Sequence, residues 1–582
     1  MTGAADTREA LVSLATEARQ LADGLVGEEH AALVERLERS VIRPLQQELG
    51  PFERDGDEKR PRASVEARLY RVARQATLLR LAAEPSAALL EATAALHDLV
   101  ATLFPDRFPA LTRALRKLPP SIVVGDDGPY LVTNAPVTDW LGVPLPDRPQ
   151  LALCRCGESK LKPLCDGSHA DVGFRDAKDP NRVPDRRDSY VGIQLTVLDN
   201  RGLCAHSGFC SDRLPTVFHA GEEPFVTSSG GRLDEIVRAV RACPSGALSY
   251  AIDGVEARAQ VDQVRDPAIE VSKDGPYRVT GAVPLVDERG DAVPRNEGAS
   301  LEHYSLCRCG KSQNKPFCSG MHWYANFHDP PPPTGREPTL FEWAGGYPAL
   351  LRMTRIFYGK YVPEEPLLTP LFARMSPDHP ERVASWLSEV FGGPTFYSDR
   401  YGGYTRMISQ HLNKALSEEQ RARWVQLLCR SADEAGLPDD PEFRAAFTAY
   451  IEWGSRLAKE NSTPGAQPPP NMPVPRWWWV CDAYPDARAS ALAPPAEAEE
   501  QPLTLPGPDE PVGFEQHIRP LFREGDRRSM RFAFDLWDAQ DVAAHADAIL
   551  VRLREGSMPC DGAWPAEHVA VFERWVSSGK QP

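Results

Sequence analysis

The chain has 582 residues, 42% of them hydrophobic. That is too long for one ordinary domain and enough for several modest cores. A formal net charge of -16 argues against nucleic acid as a main partner, because phosphate binding needs a basic surface. No run approaches the ~18 apolar residues of a membrane span, and no basic-then-apolar leader follows Met1, so a cytoplasmic protein without a membrane span is expected.

Residues 1–118 read as an all-helical bundle. Apolar side chains recur at helical spacing at Leu11, Leu14, Ala18, Leu21 and Leu25, then at Leu33, Leu37, Val41 and Leu45, then at Val65, Leu69, Val72, Ala76 and Leu79. The stretch Ser86 to Leu103 continues the pattern. A di-iron bundle would need paired Glu-x-x-His motifs. Neither His30 nor His97 has a glutamate three residues before it, so a docking or dimerisation bundle is expected.

Residues 119–330 hold an internal repeat. Gly125-Asp-Asp-Gly-Pro-Tyr-Leu-Val-Thr-Asn134 matches Ser272-Lys-Asp-Gly-Pro-Tyr-Arg-Val-Thr-Gly281, and each copy is followed by a cysteine group. Of the twelve cysteines, nine fall in three such groups. Without an export signal this favours metal or cluster ligation over disulfides. Cys429, Cys481 and Cys560 are scattered and read as incidental thiols. Pro330 to Gly335 reads as a stiff linker. Residues 339–462 are helical, 463–511 are Pro-rich linker, and 512–582 form a small helical unit.

The first copy carries Cys154-Arg-Cys156-Gly, then Cys165-Asp-Gly-Ser-His169. The second carries Cys307-Arg-Cys309-Gly, then Cys318-Ser-Gly-Met-His322. Both keep Cys-x-Cys, eight residues, Cys, three residues, His. Cysteines two apart on a strand point to opposite faces unless the chain turns, and the following glycine permits that turn. The last Cys and His lie about one helical turn apart, and Asp166 or Ser319 is placed to cap that turn. Three thiolates and one imidazole then close around one small centre, an iron–sulfur cluster or structural zinc.

These motifs resemble the CDGSH iron–sulfur family. The resemblance implies two [2Fe-2S] clusters. In each, the paired cysteines (Cys154 and Cys156, or Cys307 and Cys309) bind one iron. The other iron takes Cys165 and His169, or Cys318 and His322. Ser319 and Met321 depart from the family's usual Asp and Ser, which bears on the second cluster's potential and lability. Imidazole ligation raises the potential over that of all-thiolate clusters.

Between the copies, Cys204-Ala-His-Ser-Gly-Phe-Cys210 and the later Cys243-Pro244 are spaced like a bacterial ferredoxin half-site with Ser207 in place of the middle cysteine. The segment from Tyr190 to Tyr250 resembles the divergent single-cluster ferredoxins. Three thiolates suit a [3Fe-4S] cluster. A [4Fe-4S] cluster completed by His206, Ser207 or water is the alternative.

Gly345-Gly346, Phe357-Tyr358, Pro370-Leu-Phe372, Phe391-Gly-Gly-Pro394 with Tyr397, His411 and Trp424 resemble a group II truncated haemoglobin. That resemblance implies haem b with His411 as proximal ligand. Tyr358 is then the distal donor, Phe372 packs on the haem, Trp424 lines the pocket, and His379 faces the distal side. Phe514 to Phe522 and Gly556 to Cys560, with Trp564 and Trp575, resemble a cytochrome c-type unit. The Cys-x-x-Cys-His attachment motif is absent, so this unit reads as degenerate and free of haem, although Met558 sits where an axial ligand often lies.

The expected architecture is multidomain α+β. It has an N-terminal helical bundle (1–118) and two small β-rich CDGSH modules (119–185 and 263–330). These flank a ferredoxin-like α+β module (186–262), with an all-α truncated globin (339–462) and a small C-terminal helical domain (512–582) beyond. The expected function is a redox protein whose clusters relay electrons to a globin haem handling O2, NO or peroxide, as a NO dioxygenase or peroxidase-like oxidoreductase. A protein electron donor is implied, because no nicotinamide or flavin fingerprint is present. The short Pro-rich tether makes the second CDGSH copy the expected immediate donor. The alternative is a redox or gas sensor, or a cluster store, without turnover.

Overall fold

The computed structural model describes residues 2–25, 27, 30–50, 64–82, 85–257, 264–330, 335–468, 472–478, 505–507, 510–522, 527, 534–554 and 564–581. Cys481, Met558 and Cys560, and most of the two Pro-rich stretches, lie outside them. The chain divides into two compact units, Met1–Tyr484 and Pro485–Pro582.

The N-terminal region is helical, as its periodicity predicts: α1 (Thr2–Asp23), α2 (Ala31–Leu37), α3 (Arg43–Leu49), α4 (Val65–Ala82) and α5 (Ala87–Leu103). Ser86 caps α5 by accepting the Leu89 amide at 3.3 Å, satisfying a donor the first turn leaves free. Leu14, Leu37, Val41, Leu69 and Leu96 close the bundle's core. His97 is a core histidine. Its Nε2 lies 2.9 Å from Thr77 Oγ1, and burial lowers its pKa to about 3.

The strands follow as β1 (Ser121–Val124), β2 (Tyr130–Thr133), β3 (Val137–Thr138), β4 (Gln150–Leu153), β5 (Arg187–Val191), β6 (Thr196–Asn200), β7 (Leu248–Ile252), β8 (Val255–Glu256), β9 (Ala268–Val271), β10 (Tyr277–Thr280), β11 (Leu285–Val286) and β12 (Tyr304–Leu306). They form three sheets ordered β11-β1-β2-β4, β12-β10-β9-β3 and β5-β6-β7-β8. The two CDGSH copies exchange a strand. β3 of the first lies parallel to β9 of the second, and β11 of the second lies parallel to β1 of the first. Their inward faces form one core, with Ile122, Tyr130 and Val132 meeting Ile269, Tyr277 and Val279. The third sheet carries the helix Leu233–Arg241 and belongs to the module inserted between the copies.

Residues 339–462 are helical, with long helices Gly346–Ile356, His379–Val390, Glu418–Glu434 and Pro441–Ser462. A Thr339 and Glu342 capping box starts this region. In the second unit, the helices Ala539–Arg554 and Ala566–Ser577 pack around Phe514, Phe572 and Trp575. Among the described residues, no helix is long and apolar enough to cross a membrane.

Candidate metal centres

Each CDGSH motif folds as its spacing requires. Gly157 and Gly310 take φ of +88° and +74°, the left-handed turn that returns the second cysteine to the side of the first. Cys154 Sγ then lies 3.8 Å from Cys156 Sγ, and Cys307 Sγ lies 4.0 Å from Cys309 Sγ. The last Cys and His meet through one short turn. Cys165 Sγ to His169 Nδ1 and Cys318 Sγ to His322 Nδ1 are both 3.5 Å. All six thiols are buried. In each copy the two donor pairs lie within electrostatic reach of each other, and three thiols with one imidazole are a donor set that fits a small iron–sulfur cluster.

The motif differences have local consequences. Asp166 accepts the Lys160 amide at 2.9 Å and the Ser168 amide at 3.0 Å, so it braces the loop and the first residue of the turn bearing His169, whose N-cap position is Gly167 rather than Asp166. Ser319 accepts only the first equivalent, the Gln313 amide at 3.0 Å.

The exchange brings the two sites together. Tyr130 Oη donates to the carbonyls of Cys307 (3.0 Å) and Pro316 (2.9 Å) in the other copy. Tyr277 Oη donates to those of Cys154 (2.9 Å) and Pro163 (3.0 Å). The cluster loops meet backbone to backbone. A Cβ on Gly157 would stand 2.8 Å from the Cys309 oxygen, and one on Gly310 would be closer still to that of Cys156. Arg155 and Arg308 lie over Tyr130 and Tyr277, repeating the arrangement in both halves.

Beyond this core, the two sites differ in their surroundings. The first is covered by α5 of the bundle, where Glu91 approaches both Cys165 and His169 at 4.0 Å. Burial pushes the Glu91 carboxyl up to about 8, against the nearby Arg36 guanidinium. The second site faces the inserted module. Trp323 Nε1 donates to the His206 carbonyl at 3.1 Å, and a Cβ on Gly320 would strike the His206 ring.

In that module Cys204 is buried enough to be pushed up to about 11, with Cys243 adding to the shift. After burial, Cys243 and Cys204 raise Cys210, so the three thiols lie within electrostatic reach of one another. The His206 amide donates to Cys204 Sγ at 3.4 Å, and Ser245 Oγ lies 3.6 Å from Cys243 Sγ. The Cys243 carbonyl lies 3.0 Å from His303 Nε2, four residues before Cys307 in the second CDGSH copy.

In the helical region Tyr358, Phe372 and His379 form one aromatic group, with ring centroids 4.7 Å apart for Tyr358–His379 and 5.3 Å for Tyr358–Phe372. Trp424 packs on Phe357 at 5.6 Å. Burial raises the Tyr358 hydroxyl's pKa despite a hydrogen bond with Trp424, so it remains a donor at neutral pH. His411 follows the helix Gly403–Ser409, and its Nδ1 lies 3.0 Å from the Met407 carbonyl. That bond leaves Nε2 available as a ligand and fixes the tautomer. The residues present fit a haem.

The inserted module and the globin are pinned together. Arg423, adjacent to Trp424, reaches Glu235 on the helix Leu233–Arg241 at 2.6 Å, and Arg213 reaches Asp439 at 2.7 Å. The second CDGSH copy meets the globin through the Lys273 amide and Asp440 Oδ2 at 2.8 Å. Trp140 of the first packs on Trp343. Cys429 is a buried thiol facing Thr448, with no other cysteine beside it among the described residues. The inter-module contacts carry no motif and were not readable from the sequence.

Fold and donor sets together define an iron-binding protein with iron–sulfur and globin domains. The iron-binding zinc finger CDGSH type family matches residues 127–170 and 274–323. The divergent 4Fe-4S mono-cluster family matches 190–253, and the bacterial-like globin family matches 339–448. The chain thus carries two CDGSH-type iron-binding domains, a divergent 4Fe-4S-type module and a bacterial-like globin in one polypeptide. It is 31% identical over 61 residues to the uncharacterized protein YjdI of Escherichia coli K12, covering 10% of this chain and 80% of that protein. Among solved structures, it is similar to the haemoglobin of the thermophilic phototrophic bacterium Chloroflexus aurantiacus, with 29% identity, 21% of this chain and 98% of that one, and TM-score 0.19. The thermostable haemoglobin of the actinobacterium Thermobifida fusca gives 28%, 21%, 96% and 0.19.

Proposed function

We propose that this chain is a redox protein in which the iron–sulfur modules deliver electrons, one at a time, to the globin, which handles a diatomic gas or peroxide. The proposed ligands are Cys154, Cys156, Cys165 and His169 for one [2Fe-2S] cluster and Cys307, Cys309, Cys318 and His322 for the other. Cys204, Cys210 and Cys243 bind a [4Fe-4S] or [3Fe-4S] cluster, and His411 binds haem b. A haem supplies a reducible iron for the gas. The chain's own part is to hold it through His411, to offer the Tyr358 hydroxyl as a donor beside Trp424, and to keep His379 and Phe372 around that hydroxyl.

The observation that carries the reading is the continuity of the modules. The Cys243 carbonyl and His303 link the inserted module to the second CDGSH copy, and Glu235 and Arg423 link it to the globin beside Trp424. The inserted module, rather than the second CDGSH copy, is therefore the proposed immediate donor. The external reductant is a low-potential protein donor of one electron.

The test is stopped-flow reduction of the ferric full-length protein by a reduced ferredoxin-class donor. Cys243→Ala should leave the haem spectrum intact and slow haem reduction at least tenfold. Cys318→Ala should slow it less. Wild-type rates in both variants would refute the relay and leave the sensor reading standing.

A further inference from the structure

The CDGSH-type match begins at residue 127, beyond the N-terminal bundle, and the cluster motifs do not call for that bundle. Its helix α5 lies on β2 and β4, with Leu90 and Ala94 packed against Leu131, Ala152 and Cys165. The contact is built from both sides. Asp171, two residues beyond His169, pairs with Arg39 and Arg43 of the bundle at 3.2 and 2.5 Å. A Cβ on Gly167 would stand 2.8 Å from the Arg39 carbonyl, so the turn bearing His169 and the bundle meet at backbone distance.

At the centre of this contact stands Glu91, 6% exposed. One carboxylate oxygen lies 4.0 Å from Cys165 Sγ and the other 4.0 Å from His169 Nε2. Glu91, Cys165 and His169 are the one group of potential metal-binding atoms that comes together in this way among the described residues. Arg36, 9% exposed, stands opposite. Its Nε and Nη1 have no hydrogen-bond partner, and it lies within electrostatic reach of Glu91, Cys165 and Asp166. A buried carboxyl group and a half-satisfied guanidinium are costly to keep in a helical interface unless they serve what lies beneath.

The second copy supplies an internal comparison. His322 Nε2 faces Gly275, 3.8 Å from where that glycine's Cβ would be. No carboxylate pairs with His322 among the described residues. Asp274, the acid that acts on it electrostatically, is held by Lys273 and His328.

We propose that the bundle is a built-in cover for the first cluster site, and that Glu91 is a positioning residue that accepts the Nε2–H of His169 and holds the ring for ligation through Nδ1. A metal-bound imidazole is ordinarily fixed by an acceptor on its other nitrogen. The 4.0 Å gap exceeds a direct hydrogen bond. It closes when ligation fixes the ring, or through one bridging water. The result is one pair of motifs with two surroundings: a first site whose partly buried histidine meets an acid of the bundle, and a second site whose buried histidine faces the inserted module. This rests on the reading that both sites hold clusters.

The experiment uses full-length holoprotein in two backgrounds, Cys318→Ala, which keeps the first cluster, and Cys165→Ala, which keeps the second. In the first, Glu91→Leu should hasten cluster loss at neutral pH about tenfold and change the histidine nitrogen coupling seen by pulsed paramagnetic resonance. Glu91→Gln, which keeps an acceptor, should restore the lifetime to within about twofold. In the second background neither variant should matter. A wild-type lifetime and coupling in Glu91→Leu, or equal acceleration of both clusters, would overturn the proposal.

A second measurement follows the ring proton itself. The exchangeable proton on His169 Nε2 should exchange with deuterated solvent faster in Glu91→Leu than in the wild type, and equal rates would also overturn the proposal. Absence of [2Fe-2S] absorption from the Cys318→Ala protein would overturn the cluster reading and this proposal with it. The other negative outcomes overturn only the role of Glu91.

Discussion

Removing one tyrosine hydroxyl should weaken the cluster of the opposite copy, not the copy in which the tyrosine lies. Tyr130 is fully buried, and its single proton is shared by the carbonyls of Cys307 and Pro316. The Pro316 oxygen also accepts the Cys307 amide at 2.8 Å, so Tyr130→Phe strands mainly the Cys307 oxygen. One buried acceptor left without a partner costs about 1–3 kcal/mol. At roughly 1.4 kcal/mol per decade, that is about 5- to 150-fold if the loop must open before iron leaves. The assay is decay of visible absorbance at neutral pH. With only the second cluster present (Cys165→Ala), Tyr130→Phe should hasten loss within that range. With only the first present (Cys318→Ala), it should have little effect. Tyr277→Phe should give the converse, because its hydroxyl holds Cys154 and Pro163. Acceleration of the cluster in the tyrosine's own copy would refute the exchanged arrangement.

His169→Cys and His322→Cys should each lower the potential of the affected cluster and make it more resistant to acid, since imidazole protonation no longer competes with iron; redox titration and decay at pH 5 check both. Ser207→Cys should move the three-thiol site toward an all-cysteine four-iron cluster, read from the loss of a near-isotropic oxidised-state resonance. His411→Ala should abolish haem binding, whereas Tyr358→Phe should keep haem and speed dissociation of O2 severalfold in flash photolysis. Burial, helped by the charges of Arg382 and His411, lowers His379 to about 4. Its folded value thus lies below its unfolded one, so the globin should lose stability as pH falls from about 6.5 toward 4. Gas-binding rates should stay flat between pH 5.5 and 8, and a step near pH 6.5 would contradict a neutral His379.

The proposed ligands were legible because the chemistry of such a site fixes their spacing. A Cys-x-Cys-Gly turn and a Cys-x-x-x-His turn can each be read within a few residues. Helices were legible where one apolar face repeats, as from Leu11 to Leu25 and from Ser86 to Leu103. The strand exchange was not. β3 and β11 are two residues long, and Val137 pairs with Ile269 across more than a hundred residues; no local pattern encodes such a pairing. Glu91 was equally silent, a lone acid in an Ala- and Leu-rich helix with no motif around it. The ion pair between Arg423 and Glu235 joins two surfaces whose charges mean nothing until they meet.

The strand exchange pairs the two halves of one polypeptide as an exchange between two separate subunits would pair them. In a symmetric pair, every substitution appears twice, and assembly weakens on dilution. Here the partner is covalently attached, so pairing is intramolecular and independent of protein concentration. Each half is also free to accumulate its own changes. Ser319 stands where the first half has Asp166, and Met321 where it has Ser168. Two sites born alike can therefore drift to different potentials and different neighbours without either losing the partner strand that holds it closed.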